Sequence, residues 1–556
     1  MTKPIAPPQS MDAPQPMGIP QPMNAHQPPP PSFYVYESQS KKVYPVDAAE
    51  TVLALVVVML GFLFWNWFIP RSGDWAVAGS SADLEYGGFY PDYYPGIAIT
   101  LFFVLALATS LIYFQARKVT LSQGGMIGAG IVFLSALPFA IYSATPLHFF
   151  AIIFTLGLYV LWHAYAANTA IAKFPGVLTS ADLLNQTLVV PFSNMGAWFA
   201  GLRSFGHKGK GTNQVIAAIV GIIIAVPIFA IIIALLASAD AQFSTWIEGI
   251  GVYFENLKVG RYVLCLTFGF PVGFYIFALL YGNARRMGTE TMTPKSLLST
   301  AQNARKVSIV AVGTPVAILV LIYGVFLAAV VSNLHKTMTT VHSPDFTYAE
   351  FARRGFFELA VVAGINLVIL GFIYLFCQRK PGPYPVFLRV LGSTMSALTL
   401  VMVVLSITKM LMYWEQYGLT RLRVYTMWFM CVMFVVFALL LVWHLRRFKV
   451  GTAIVMVMGL SFLGLTWANV DSIIANHNVD RYLSGQVETI DVDYLGEDLS
   501  DAAVPALIRL SEDRRVQAQA NRALAIRRSE GTNMLPAGDA PWTAWSWESH
   551  RAHQLL

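Results

Sequence analysis

The long apolar stretches of this chain carry almost no Asp, Glu, Lys, Arg or His in their middles, and charged residues make up only 12% of the whole against 56% hydrophobic. A soluble domain carries about a quarter charged residues, so the bilayer is the main solvent here. Ionisable side chains usually mark ion and proton paths through membranes, and their scarcity argues against a proton-coupled pump. Cysteine is sparse too. Cys265, Cys377 and Cys431 fall inside or at the ends of apolar stretches, which gives no disulfide framework and no Cys-x-x-Cys metal pattern. The histidines include no His-Glu-x-x-His, and His335 and His342 do not form a ligand pair on one helical face, so no metal or other cofactor is expected. No Gly-x-Ser-x-Gly elbow occurs, and hydrolase catalysis is not indicated. The run Gly206 to Thr212 has Gly rather than Ser or Thr after Lys210 and follows no strand; it reads as a flexible basic linker, not a phosphate loop.

What is present is a train of about eleven apolar stretches, near 51–69, 96–114, 125–142, 148–166, 214–237, 260–281, 307–331, 356–376, 386–408, 425–443 and 451–470. Each is close to the roughly 20 residues a helix needs to cross a bilayer. The expected fold is therefore an all-α polytopic membrane bundle with a small C-terminal extracytoplasmic helical module. About fifty mostly polar residues precede the first stretch, unlike a cleaved signal peptide, so that stretch is expected to remain in the mature protein. Basic clusters orient the spans. Lys41-Lys42, Arg117-Lys118, Arg203 with Lys208 and Lys210, Arg285-Arg286 with Arg305-Lys306, Arg379-Lys380, and Arg446-Arg447 with Lys449 share one side when eleven spans are threaded. Short cytoplasmic loops collect Lys and Arg, which sets the N-terminus in the cytoplasm and the C-terminus outside. The net charge of +7 is then a topology signal, and no nucleic-acid partner is expected.

Four regions follow from this threading. Residues 1–47 form a Pro-rich cytoplasmic tail, expected to be disordered, in which Pro14-Gln15-Pro16-Met17 is echoed by Pro20-Gln21-Pro22-Met23. Its preferred reading is a solubilising extension; the alternative is a docking tail for a cytoplasmic partner with an aromatic groove. Residues 48–306 hold spans one to six with interfacial segments, 307–470 hold spans seven to eleven, and 471–556 form the outer module. The residues from Leu183 to Phe205 recur near helical spacing, as expected of a helix or broken helix at the membrane surface, and the segment around Phe243 to Tyr253 reads likewise. Ser511 followed by Glu512-Asp513 predicts an N-cap and acidic first turn opening a polar helix through about Arg528.

Two sets of residues are candidates for function. Pro227, Pro271 and Pro315 sit within successive spans, where proline kinks helices, and Gly269 and Gly273 bracket Pro271, so close helix approach and irregular backbone are expected together. Broken helices near the midplane are one pointer to a transport site. The denser polar cluster lies at the outer ends of spans eight to ten. Thr347-x-x-Glu350 reads as a capping box, and Glu350, Arg354 and Glu358 follow on one helical face with Arg353 beside them. Lys409, Glu415, Arg421 and Arg423, with Tyr413, Trp414, Tyr417 and Tyr425, fall across the next connection. Such a cluster is either a site, whose Arg groups would hold a phosphate or carboxylate, or a salt-bridged clamp onto the C-terminal module.

The blocks Tyr348-Ala349-Glu350-Phe351-Ala352-Arg353-Arg354-Gly355-Phe356-Phe357-Glu358-Leu359 and Tyr417 to Tyr425 resemble those of a bacterial integral-membrane family, domain of unknown function 4173. Asn469-Val470-Asp471, Asn478 to Arg481, Asp493-Tyr494-Leu495 and Asp501 to Leu507 are similar to it as well, and the resemblance covers roughly residues 310 to 510. It implies a bacterial inner-membrane protein of a family with no established substrate or catalytic residue. The preferred function is non-enzymatic: moving a small or lipid-like solute, or sensing and scaffolding at the envelope. The competing class is an enzyme acting on a lipid-linked substrate at the outer interface, with Glu350, Glu358, Lys409, Glu415, Arg421 and Arg423 as acid, base and phosphate-holding candidates.

Overall fold

A computed structural model describes residues 44–68, 95–143, 145–172, 174–205, 259–289, 292–339, 356–378, 385–530 and 542–556, with scattered positions between 229 and 246. Residues 45–556 form one unit. Among the described residues there is no strand, and ten helices are long and apolar enough to cross a membrane. They belong to α1 (Ala48–Phe68), α2 (Gly96–Ala116), α3 (Gln123–Ala136, prolonged by a turn at Pro138–Ile141), α4 (Leu147–Ala166), α7 (Val259–Arg285), α9 (Ile309–Thr339), α10 (Phe356–Phe376), α11 (Val386–Tyr417), α12 (Arg421–Leu445) and α13 (Val450–Trp467). Nearly all of the expected span at 214–237, including Pro227, lies outside the described residues, as do residues 1–43 of the Pro-rich tail and nearly all of the segment around 243–253.

Backbone approach decides how the first helices pack. In α7, Gly269 and Gly273 face α1 one turn apart, and a Cβ on Gly269 or Gly61 would collide with the other's carbonyl, as one on Gly273 would with Val57. Small residues at such a crossing let backbones touch, which is how helices gain contact where lipid supplies no hydrophobic drive. The expected close approach is thus present. Pro271 sits inside α7 between these glycines and Pro315 inside α9, and both helices run on without interruption. The helix or broken helix expected at 183–205 is a broken one, and part of it packs inward rather than lying on the surface. It comprises α5 (Thr179–Leu184), a π-turn (Asn185–Val189) and α6 (Val190–Phe205), and α6 seats the fully buried Trp198 against Phe270 and Phe274 of α7. α8 (Pro294–Ala304) then leads to a second group, α9 to α13.

The second group is held by a buried polar relay across three helices. Tyr323 on α9 donates to Asn366 Oδ1 on α10 at 2.7 Å, and Asn366 Nδ2 donates to Thr399 Oγ1 on α11 at 2.9 Å. Contacts between the groups are fewer and run along α4 and α13, where Phe154 and Phe462 meet at 4.9 Å and Gly451 packs on Val177. Beyond α13 the chain turns at Asn469, whose φ of 44° is left-handed and whose side chain accepts from Ser472 N, and enters a module of α14 (Val470–Leu483), α15 (Val504–Ser511), α16 (Gln517–Glu530) and α17 (Trp547–Leu555). Its core of Ile474, Val479, Leu495, Leu507 and Leu510 excludes water. Ser511 does not open a helix there. It closes α15, donating back to Ile508 O, because the apolar face that Leu507 and Leu510 bury outweighs the capping signal of Glu512-Asp513.

The module sits at one end of the bundle, and Arg117, Lys118, Arg285, Arg305, Lys306, Arg446, Arg447 and Lys449 lie at the other, called here the basic end. Gly269→Ala should therefore lose about 1–3 kcal/mol through overpacking, read as a lowered unfolding midpoint in detergent. Gly364→Ala should be near neutral, since its Cβ would meet nothing within 4 Å.

Candidate functional site

A large space lies where the two helix groups meet. Between α3 and α4 on one side and α10, α12 and α13 on the other lies a chamber of about 1330 Å³. Ordinary small-molecule pockets hold roughly 300–1,000 Å³. Its walls are apolar, including Ile153, Phe154, Trp428, Met433, Val455 and Phe462, and no Asp, Glu, Lys, Arg or His is among the lining residues. Three of its glycines, Gly157, Gly364 and Gly459, have open space where a Cβ would stand, so missing side chains help to make the volume. The chamber is open rather than enclosed, and Ile127, Ile153, Phe429 and Met458, which line it, are exposed. Polar groups collect at its basic end only: Ser122 and Gln123 where α3 begins, Tyr165 and Asn168 where α4 ends, and Thr179 at the start of α5.

Behind that polar rim the segment 179–189 carries a second layer. Asp182 is buried, accepts from Ile171 N at 2.6 Å and from the Tyr165 hydroxyl at 3.4 Å, and burial raises its carboxyl above the ordinary range. Gln186 accepts from Asn283 Nδ2 at 2.7 Å, and Asn283 in turn accepts from Thr169. The π-turn between α5 and α6 sets Asn185 and Gln186 toward this interior while Leu183 and Thr179 face the chamber. One strip of chain thus separates an apolar wall from a polar one. Beside it at the basic end, fully buried Glu50 accepts from Tyr113 at 2.9 Å and Arg285 Nε at 3.0 Å and pairs with Arg117, tying α1, α2 and α7. Arg117 also holds the neighbouring Asp47 carboxyl far below the usual carboxylate range.

The cluster expected at the opposite end is only partly gathered. Glu350, Arg353 and Arg354 lie outside the described residues; Glu358 and Glu415 are exposed. Lys409 to Tyr417 are not a connection, because α11 runs to Tyr417 and only Gly418, Leu419 and Thr420 link it to α12. Asn478 of α14 fixes that short turn by accepting from Leu419 N at 2.8 Å and donating to Leu419 O at 2.9 Å. Gly418 is needed there: its φ is +69°, and a Cβ would stand 2.6 Å from Asn478 Oδ1. Arg421 grips Asp471 through two parallel bonds, with Nε to Oδ1 at 2.8 Å, and its backbone N–H donates to Tyr494. Arg423 lies on the Tyr413 ring, 4.2 Å from its centroid, and donates to the Tyr417 and Gly418 carbonyls.

Sequence reasoning missed Asp471 as the partner of Arg421, although it stands in a quoted block; its place two residues after Asn469, in the first turn of α14, was the available signal. It also missed the chamber, which no single segment encodes. Near the clamp, a cavity of about 30 Å³ lined by Tyr142, His148, Tyr425, Asp471 and Glu548 has room for about one water.

A family model described as Domain of unknown function (DUF4153) matches residues 129–510. The chain belongs to the DUF4153 family. This corrects the resemblance to domain of unknown function 4173, whose blocks at 348–359 and 417–425 fall inside the matched range, and it extends the family region well upstream of residue 310. The physical reason is that those blocks are short and rich in Arg and aromatic residues, a chemistry many membrane proteins gather at their interfaces. No curated protein and no solved structure matches this DUF4153 member. In it, Asp471 is 1% exposed and Arg421 19%. Asp471→Ala should cost about 3–5 kcal/mol, because it strands a buried guanidinium. Limited proteolysis should then cut the chain after α13, whereas Glu415→Ala should leave that region protected.

Proposed function

We propose that the protein holds a lipid-like solute in the chamber between its two helix groups, as a non-enzymatic component of a bacterial inner membrane. The observation that carries this reading is the chamber itself: large, open, apolar, uncharged along its lining and polar at one end. A hydrocarbon tail would enter from the bilayer core without desolvating any charge, and the scarcity of intramembrane charge ceases to be a difficulty. The orientation that fits places the basic end in the cytoplasm and the C-terminal module outside, because Lys and Arg collect at short cytoplasmic loops. Support for an enzyme at the module end is weaker, since Arg421 and Arg423 are committed to Asp471, Tyr413 and backbone carbonyls.

Native mass spectrometry of the purified protein should find lipid bound beyond the general detergent background. Gly157→Phe and Gly459→Phe, which fill open space without a clash at Cβ, should each remove that lipid while the unfolding midpoint holds. Lipid retention unchanged in both folded variants would sink the proposal. Orientation has its own test: alkaline phosphatase fused at the C-terminus should be active, and an expressed but inactive fusion would reverse it.

A further inference from the structure

We infer that the chamber takes a lipid with an anionic phosphate head, held head-first at the basic end; this rests on the chamber reading above. The chamber has two chemically different ends. Its body offers hydrocarbon only, whereas Gln123, Asn168 and Thr179 bring uncharged hydrogen-bonding groups to the rim at the basic end. Thr179 Oγ1 accepts from Gly176 N at 2.6 Å and is hydrogen-bonded to the Tyr165 side chain, which fixes it as a polar group of the rim. Among the described residues, a cation stands at that rim. Lys449 stands with its ammonium 5.3 Å from the ring centroid of Phe174, itself a lining residue, and is exposed. The neighbouring carboxylate, Asp182, is turned behind Tyr165 and bound by Ile171 N, so it does not oppose an anion at the mouth.

Helix direction adds to the same sign. α3 and α13 both begin at the basic end, and Gln123 and Gly124 of the first turn of α3 line the chamber. The Ser122 side chain accepts from Gly125 N at 3.0 Å, and Gly124 has no side chain to keep a phosphate from the backbone. A zwitterionic or neutral head would gain less from this mouth, because a cation beside a helix start favours net negative charge. The open apolar body accounts for the tail and the rim for the head. A free phosphate would use the rim but leave the apolar body without a role.

The test uses the full-length protein in nanodiscs, delipidated and then offered phosphatidylglycerol, diacylglycerol with the same chains, or inorganic phosphate, with retained ligand read by native mass spectrometry. Phosphatidylglycerol should be retained over diacylglycerol, and Lys449→Gln should weaken its retention about fivefold, roughly the loss for one Lys at an anionic interface. Diacylglycerol retention should not change in that variant, and Lys449→Arg should restore the phospholipid. Diacylglycerol held as well as phosphatidylglycerol, with Gly157→Phe still expelling both, would overturn the head-group inference while leaving the chamber reading intact. Inorganic phosphate retained without the phospholipid would overturn the lipid assignment in favour of a free anion. Failure to retain any lipid, or retention indifferent to Gly157→Phe, would overturn the chamber reading itself.

Discussion

Glu50 and Asp471 are two buried carboxylates, one at each end of the bundle, and the way each is neutralised fixes how the helices close. An isolated carboxylate in hydrocarbon costs far more than a fold of this kind can offset, so each must bring its cation to it. Glu50 draws Arg117 from the end of α2 and Arg285 from the end of α7, with Tyr113 completing its shell. Asp471 draws Arg421 from the start of α12 and also accepts from Ser500 N at 2.8 Å, which brings the module's loop onto the membrane helices. A third pair, Arg527 with buried Asp501, repeats the device inside the module. All three lie at helix ends or beyond them. None lines the chamber, and the apolar space between the helix groups follows from that placement.

The module acts as a strap across the gap. Its last segment reaches the first helix group, where Ile97 N donates to Trp545 O at 2.9 Å and Ser143 donates through both backbone and side chain to Glu548. Its first helix grips the second group through Asn478 and through Arg481, which donates to Trp414 O at 3.0 Å. Glu548 also accepts from Asn469 Nδ2 at 2.6 Å, so one carboxylate joins both groups at the point where α13 leaves the bundle. Between this strap and the contact of Gly451 with Val177 at the basic end, α4 and α13 meet through Phe154 and Phe462. The two groups are thus closed on each other at both ends, with the open chamber between them.

Much of the fold was legible because the bilayer forces a local signal. Every spanning helix must satisfy its own backbone, so each appears as a run of apolar residues, and ten of the eleven expected runs coincide with described helices. The glycine pair around Pro271 was legible for a similar reason, since spacing along one helix face predicts which residues touch. Pairings across the sequence were not legible. Arg421 was singled out for its charge and aromatic company, yet its partner Asp471 is fifty residues away and is chosen by where α14 folds back. The connection after α11 was misread because Lys409, Glu415 and the tyrosines look like loop chemistry, while in fact they extend that helix past the apolar run. Ser511 was misread because its capping signal is weaker than the burial of Leu507 and Leu510.

The family boundary bears on which parts form one device. The match begins at residue 129, within the chamber wall made by α3, and ends at 510, one residue short of the end of α15. It therefore contains the body of both chamber walls, the Asp182 layer, the Arg421 clamp and the start of the module core. It leaves out α1 and α2, which contribute no residue to the chamber lining, and with them Glu50 and its pairing with Arg117. The Glu50 network is thus a lock that fastens two additional helices onto α7 by backbone contact and buried charge. Neither helix lines the chamber, but α2 backs its wall: Thr100 donates to Ala136 O at 2.6 Å and Ser110 meets the Tyr159 hydroxyl at 2.9 Å, so the added helices brace the wall from behind.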